Sequence, residues 1–139
     1  TCANNVVIST SASTSIRGIA ASYTGAKQSA QPDSNNTGSV ASGTTLTIST
    51  TTVADNAWVV GFMIGDDGNL SAGAGTTLRV TGLRADFVDK NAATSPPASA
   101  SVAVTWGSSA VAKGCIASIA PVSAAAGTHR FFLAMSLVS

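Results

Sequence analysis

The sequence has few charged residues, and it contains no Glu at all. Only 9% of its 139 residues are charged, whereas an average globular protein has about 25%. Seven Lys and Arg nearly balance six Asp, and the basic residues form no cluster. Such a chain has no electrostatic footprint for DNA or RNA, so we expect no nucleic-acid partner.

Long apolar runs are also missing. The longest strongly apolar run, residues 58–64, has seven residues, far fewer than the roughly 20 that span a bilayer as a helix. We therefore expect no membrane span. Leu occurs only six times, and with no Glu present, long amphipathic helices and coiled coils are not expected either.

Small residues make up much of what remains: 25 Ala, 20 Ser, 17 Thr and 13 Gly. Leu, Ile, Val and Phe together account for only 30 residues, little above the level of about 20% below which highly charged chains become disordered. Because the net charge is only +1, the composition predicts one folded domain, residues 1–139, with a thin core. A crosslink, extensive backbone pairing or a partner would have to supplement that core.

Apolar residues alternate with polar ones in short runs, and clusters of Gly, Ser, Asn, Asp and Pro separate these runs. This pattern is typical of strands and turns, and it predicts an all-β, antiparallel β-sandwich of about eight to nine short strands. The segment 27–43 is interpreted as a long connection. The predicted strands are 5–9, 15–23, 44–50, 57–64, 76–80, 83–88, 101–106, 114–120 and 128–138.

Two of these strands are apolar on both faces. In the strand 57–64, Val59 and Met63 lie opposite the face of Trp58 and Phe62, so we expect this strand to be central or covered on both sides. The terminal strand 128–138 needs burial within its own domain or against a neighbouring subunit. Its candidate interface face comprises His129, Phe131, Leu133, Met135 and Leu137.

The stretch 15–122 resembles a β-sandwich domain of bacteriophage virion and tail-fibre proteins and of secreted proteins of environmental bacteria. The segments that carry the resemblance are SIRGIAASYTGAKQ, QPDSNNTG, TTLTISTTTVADNAWVVGFM, AGAGTTLRV, PPASASVAVTW and AKGCIASIAPV. The resemblance implies a jelly-roll-like sandwich and a location on a virion or outside the cell. Members of the family carry further strands before the first of these segments, where this chain has 14 residues. Residues 123–139 could therefore add a terminal strand used in assembly.

Two cysteines, Cys2 and Cys115, suggest a disulfide in an exported protein. The chain begins with Thr1 rather than Met, which suggests either that a leader was removed during export or maturation or that the chain is a processed fragment. A bond between the two cysteines would close a loop of about 113 residues and contribute roughly 4–5 kcal/mol in the chain-entropy model. The alternatives are two free buried thiols, or bonds between subunits.

Other candidate sites are weaker. Asp66, Asp67 and Asn69 offer oxygen ligands for Ca²⁺, but a polar turn explains the same residues, and no Glu is present for bidentate closure. Asp86 and Asp89 form the other close pair of acids, which we interpret as surface partners of the neighbouring basic residues rather than a glycosidase pair.

A Ser-His-Asp triad would have to use His129, the only histidine. We interpret this residue instead as belonging to a strand end or an interface. Trp58, Trp106 and Tyr23 could stack on a sugar ring. The period-2 pattern, however, places both Trp residues with core residues.

These observations predict a non-enzymatic structural subunit without a cofactor, which self-associates on a virion surface, a phage tail fibre or an extracellular filament. Its partners would be copies of itself or other subunits of the assembly. The alternative is a carbohydrate-binding or adhesive module on the same fold, for which a glycan is the partner. A hydrolase using Asp and His129 is a third and weaker hypothesis.

Overall fold

A computed structural model of the chain describes residues 7, 9, 11, 16–68, 70–82, 84–122 and 130–138, the last stretch by its backbone. Within these ranges the chain forms strands and turns but no helix. The described residues therefore contain no helix that could span a membrane. The strands are β1 (Ile16–Thr24), β2 (Ser34–Thr51), β3 (Trp58–Gly65), β4 (Ser71–Ala72), β5 (Thr76–Gly82), β6 (Ala85–Lys90), β7 (Ser99–Ile119) and β8 (Arg130–Val138).

The described strands form two sheets. The larger follows the order β2-β7-β3-β6-β5, with the short β4 also paired to β7, and the smaller is a β1–β8 ribbon. Every pairing between these strands is antiparallel. The predicted all-β, antiparallel fold class is therefore confirmed.

Strand β3 lies between β7 and β6 and is buried on both faces, as its sequence predicted. Because side chains alternate along a strand, Val59 and Met63 join one buried cluster, while Val60 and Phe62 join another. The first cluster also contains Trp106, and the second contains Phe87 from β6. The larger sheet thus carries an apolar cluster on each face.

The first of these clusters forms because β2 folds back on itself. Gly38 and Ile48 both belong to β2, and ten residues of extended strand span roughly 33 Å. Yet a Cβ atom on Gly38 would lie only 2.9 Å from Cγ1 of Ile48. The β2–β7 ladder is irregular between Val40 and Thr45, and such bulges bend strands. The two halves of the β2–β7 pair consequently face each other.

The β1–β8 ribbon covers part of the second cluster. The ladder runs without interruption from Ile16, opposite Val138, to Thr24, opposite Arg130. Along β1, exposed and half-buried residues alternate, and the half-buried Ile19 and Tyr23 pack against this cluster. The predicted terminal strand is therefore a strand of the fold, and its partner belongs to the same chain.

Two sequence-based expectations about strands were wrong. The segment 27–43 was expected to be a connection, but β2 begins at Ser34. The predicted strands 101–106 and 114–120 are parts of the single strand β7. In both cases the intervening residues are mostly Ser, Ala, Gly and Thr, whose side chains give no apolar alternation. Backbone pairing between β2 and β7 forms the strands there.

Strand β4 and the segment 5–9 also differ from the predicted strands. Strand β4 has only two residues, and no pattern in the sequence predicted it. The predicted strand 5–9 lies largely outside the described residues, and the two of its residues that are described, Val7 and Ser9, are not part of a strand.

Candidate functional site

A cleft of about 460 Å³ opens beside the ribbon, where β1 passes over the outer strands of the larger sheet. Strand β1 supplies one wall, the start of β3 and strand β6 supply the floor, and β5 supplies the opposite wall. The residues that line the cleft are Ala21, Ser22, Tyr23, Trp58, Arg79, Val80, Phe87 and Asp89.

Arg79 and Asp89 form an ion pair in this cleft. The Nε atom of Arg79 donates a hydrogen bond of 2.7 Å to Oδ2 of Asp89. The Asp89 side chain is only 2% exposed, whereas that of Arg79 is 49% exposed. The guanidinium therefore neutralises a buried carboxylate and keeps part of its own surface in solvent.

A bulge places Arg79 in this position. In the β5–β6 ladder Leu78 pairs with Val88 and Val80 pairs with Phe87, which leaves Arg79 as the additional residue. Bulges re-aim side chains and bend the strand that carries them. The charge-assisted bond to Asp89 raises the pKa of Arg79, so the guanidinium stays protonated.

The second oxygen of the Asp89 carboxylate is buried and has no hydrogen-bond partner, and the same holds for the indole Nε1 of Trp58. A buried polar group without a partner costs about 1–3 kcal/mol, so both atoms would gain from a polar ligand. Trp106 also has an unpartnered indole nitrogen, but it belongs to the other apolar cluster and does not line the cleft.

The pKa of Tyr23 is changed by the same surroundings. Burial, together with the negative charge of Asp89, raises the pKa of Tyr23 to about 12, against the opposing effect of Arg79. The phenol is therefore neutral at physiological pH and keeps its O–H as a hydrogen-bond donor. Its ring packs against Phe87, with ring centroids 6.5 Å apart.

This arrangement suits a neutral, hydroxylated ligand. The cleft combines an ion pair, three aromatic side chains and polar atoms of both hydrogen-bonding types. Binding sites of this kind use apolar surface for contact and a few polar groups for orientation.

A larger cavity, of about 1040 Å³, lies at the 27–33 loop and is also lined by residues 53–55 and 120–122. Two of the polar side chains that line it, Gln31 and Asp33, already have structural partners. Asp33 Oδ2 accepts hydrogen bonds from the backbone amides of Val53 and Ala54, at 2.7 and 3.0 Å. The Gln31 amide both donates to and accepts from the Ala120 backbone. These groups hold the loop to the sheet, so we regard the smaller cleft as the better candidate site.

The Asp66–Asp67 candidate for Ca²⁺ takes the form of a turn. Asp67 accepts hydrogen bonds from the Ser108 hydroxyl at 2.6 Å and from the amides of Ser108 and Gly107, both at 3.1 Å. These bonds, led by the hydroxyl, lower the pKa of Asp67. Asp66 lies 3.9 Å from Arg84, and Asn69 is outside the described residues. No set of three or more His, Cys, Asp or Glu groups suited to a metal ion occurs in the described ranges.

The expectation that Asp86 and Asp89 are surface residues paired with neighbouring basic side chains was wrong. Both are buried, with exposures of 1% and 2%, and the basic partner of Asp89 is Arg79 on another strand. The two acids are three residues apart on β6, so they project from opposite faces. They are therefore not placed to flank one glycosidic bond.

The aromatic candidates separate into two places. Trp106 is buried in the first apolar cluster, as the period-2 pattern predicted. Trp58 is half-buried and packs against the second cluster, yet it also lines the cleft together with Tyr23. The structure thus brings two of the three predicted stacking residues together.

The remaining candidates lie partly outside the described residues. Cys115 is half-buried and forms no disulfide with any described residue, while Cys2 lies outside the described ranges, so the predicted disulfide stays a prediction. His129 is likewise outside them. Phe131, Leu133, Met135 and Leu137 are described by their backbone, and their positions pair with Tyr23, Ala21, Ile19 and Arg17 respectively. Whether they form an interface stays a prediction.

Sequence reasoning missed Arg79 as a site residue. A single Arg in a Thr-rich strand carries no signal of its own, because the bulge and the partner on β6 exist only in the folded sheet.

Comparisons of the chain with protein-family models, curated proteins and solved structures found no match.

Proposed function

We propose that this chain is a non-enzymatic structural subunit that self-associates, as part of a virion surface, a phage tail fibre or an extracellular filament. The resemblance of the stretch 15–122 to virion and secreted β-sandwich domains suggests this setting. The observation that carries the proposal is the character of strand β2, which forms one edge of the larger sheet.

Among the residues that the structure describes, strand β2 is a long edge strand without the features that usually block such an edge. It has 18 residues, and none of them is charged or Pro. An edge strand offers unpaired N–H and C=O groups to another strand, and proteins commonly block such edges with Lys, Pro or short length. In its second half the exposed side chains are Thr and Ser, such as Thr45, Thr47 and Ser49.

One contact indicates which backbone groups face this edge. The side-chain amide of Asn36 donates a 2.7 Å hydrogen bond to the carbonyl oxygen of Ser49. We infer that this carbonyl points away from β7. Backbone groups alternate in direction along an antiparallel strand, so those of Thr45 and Thr47 face the same open edge. No described strand pairs with this edge, so we propose that a strand of a second copy bonds to these groups.

The opposite edge of the sheet differs. Strand β5 has seven residues, carries Arg79 and contains the bulge between Leu78 and Val80. These features protect an edge from pairing. The contrast favours association through β2, by strand addition between copies. Because a permanent interface of this kind buries more than about 2,000 Å², further surface beside the edge would have to take part.

The experiment is sedimentation velocity of the purified chain over a range of concentrations, combined with negative-stain electron microscopy. We expect oligomers or filaments for the native sequence. Thr47→Lys places a charge beside the open edge and is expected to shift the population towards monomer. Thr81→Lys makes the same change at an exposed position of β5 and is the matched control, expected to leave assembly intact.

A native chain that remains monomeric at every concentration would overturn the proposal. So would equal assembly of the Thr47→Lys and native chains, because the β2 edge would then play no part. Circular dichroism of both variants establishes that they retain the strand structure.

A further inference from the structure

We propose that the cleft formed by Tyr23, Trp58, Arg79 and Asp89 binds a neutral pyranose ring of a carbohydrate. This inference does not depend on self-association, because all the residues that carry it belong to one chain.

The charge of the cleft selects a neutral ligand. The guanidinium of Arg79 lies 2.7 Å from the Asp89 carboxylate, so each charge offsets the other. An anion would have to compete with Asp89 for Arg79, and a cation would have to compete with Arg79 for Asp89. A ligand without charge avoids both costs and can still bond to the atoms that the ion pair leaves free.

The free polar atoms match hydroxyl groups. Asp89 Oδ1 needs a donor and Trp58 Nε1 needs an acceptor, and both atoms are buried without a partner. The half-exposed guanidinium of Arg79 uses its Nε atom for Asp89 and has further N–H groups to donate. A sugar hydroxyl is a donor and an acceptor at once, so adjacent hydroxyls of one ring satisfy both kinds of atom.

The aromatic rings supply the apolar contact. Trp58 and Tyr23 line the cleft from two different strands, and each presents an apolar ring with a polar tip, a combination common at binding sites. The volume of about 460 Å³ lies within the usual range for small-ligand sites, about 300–1,000 Å³. A single ring in an open cleft binds weakly, and we expect dissociation constants in the millimolar range.

The test titrates the chain of residues 1–139 with methyl pyranosides of glucose, galactose, mannose and N-acetylglucosamine, and probes an array of immobilised oligosaccharides. Tryptophan fluorescence reports binding. A Trp106→Phe chain isolates the signal of Trp58, and we expect it to give a saturable change with at least one sugar. In the Trp58→Phe chain, which keeps Trp106, we expect no such change.

Arg79→Lys tests the polar contacts while keeping a positive charge beside Asp89. We expect it to weaken binding about tenfold or more, because Lys cannot present the same fixed set of donors. Arg84→Lys is the matched control, since Arg84 does not line the cleft, and its affinity should equal that of the native chain.

Three results would overturn the proposal. The first is that no pyranoside or array sugar binds the folded chain. The second is native affinity in both Trp58→Phe and Arg79→Lys. The third is a response that EDTA abolishes, which would assign binding to a metal-dependent site. Binding is measured per chain by calorimetry alongside fluorescence, so a monomeric chain that binds sugar contradicts the assembly proposal but supports this one.

Discussion

Gly114 lies directly beneath the side chain of Ile48: a Cβ atom on Gly114 would be 2.9 Å from Cδ1 of Ile48. It would also meet the sulfur of Met63 and would lie 3.1 Å from the backbone carbonyl oxygen of Phe62. Gly114 pairs with Gly38 in the β2–β7 ladder, so two glycines lie where the folded-back strand comes closest. The first apolar cluster can close only because these positions have no side chain.

Replacing Gly114 with Ala should therefore destabilise the protein. We expect a loss of about 1–3 kcal/mol in the free energy of unfolding, because an added methyl in a packed core forces its neighbours to move. Urea denaturation measures this. Gly107→Ala is the control, since its nearest contact would be Asp67 Oδ2 at an ordinary 3.8 Å. A Gly114→Ala chain as stable as the native one would contradict the folded-back packing.

Removing Arg79 should leave the buried Asp89 without its counter-charge. We expect Arg79→Ala to lower the free energy of unfolding by about 1–3 kcal/mol, the cost of a buried polar group that loses its partner. The double variant Arg79→Ala/Asp89→Asn should recover part of this loss, because no charge then remains to be neutralised. Urea denaturation of both single variants and the double variant measures the coupling. If the effects of Arg79→Ala and Asp89→Asn simply add in the double variant, the pair is not coupled.

The turn at Asp67 should contribute to acid sensitivity. Its pKa is lower in the folded chain than its ordinary value, so the unfolded chain binds a proton where the folded chain does not. The stabilisation is present above the unfolded-state pKa near 4 and is lost as pH falls through the folded-state pKa.

Urea midpoints at a series of pH values from roughly 2 to 7 test this. Asp67→Asn should lower the midpoint at neutral pH and make it less dependent on acid. Asp66→Asn, which removes a neighbouring charge with 63% side-chain exposure, should have a smaller effect. If the two variants behave alike, the hydrogen bonds from Ser108 to Asp67 are not the cause of the acid sensitivity.

Cys115 should react slowly in the folded chain. Burial raises the pKa of its thiol, although a backbone hydrogen bond from Phe62 opposes this, so little thiolate is present at neutral pH. In a Cys2→Ser chain we expect iodoacetamide to label Cys115 more slowly in buffer than in urea. Equal rates would contradict this burial.

Counting free thiols in the unreduced, denatured native chain tests the predicted Cys2–Cys115 bond, which would leave none.

Deleting residues 128–139 should remove strand β8, the ribbon partner of β1. We expect the amide hydrogens of β1 to exchange faster, while those of β3 and β7 stay protected, because these two strands belong to the other sheet. If residues 131–137 also form the assembly interface, as their sequence predicts, the deletion should abolish oligomers. Full assembly by the truncated chain would refute that role.

The strands that sequence reasoning identified well are those with strong alternation. Leu46 and Ile48 are buried and the Thr residues between and beside them are exposed, as the period-2 pattern predicted. The burial of β3 on both faces followed from the same kind of evidence. Where the chain consists mostly of Ser, Ala, Gly and Asn, as in 34–43, side chains carry no such pattern, and the strand depends on its partner.

The candidate site was predictable only in part. Tyr23 and Trp58 were recognisable as aromatic residues suited to a ligand, but nothing in the sequence placed them in one cleft. Asp89 was assigned to the surface because basic residues are near it in sequence. Its actual partner, Arg79, is ten residues away and reaches it through a bulge that exists only in the β5–β6 ladder.

By itself, then, the sequence determined that this chain folds as antiparallel β-structure with a thin core, because alternation and turn residues act locally. Only the tertiary structure decided that β2 folds back over itself, that β8 pairs with β1, and that an ion pair and three aromatic side chains meet in one cleft. These features depend on backbone pairing between residues distant in sequence, to which small, uncharged side chains give no local guide.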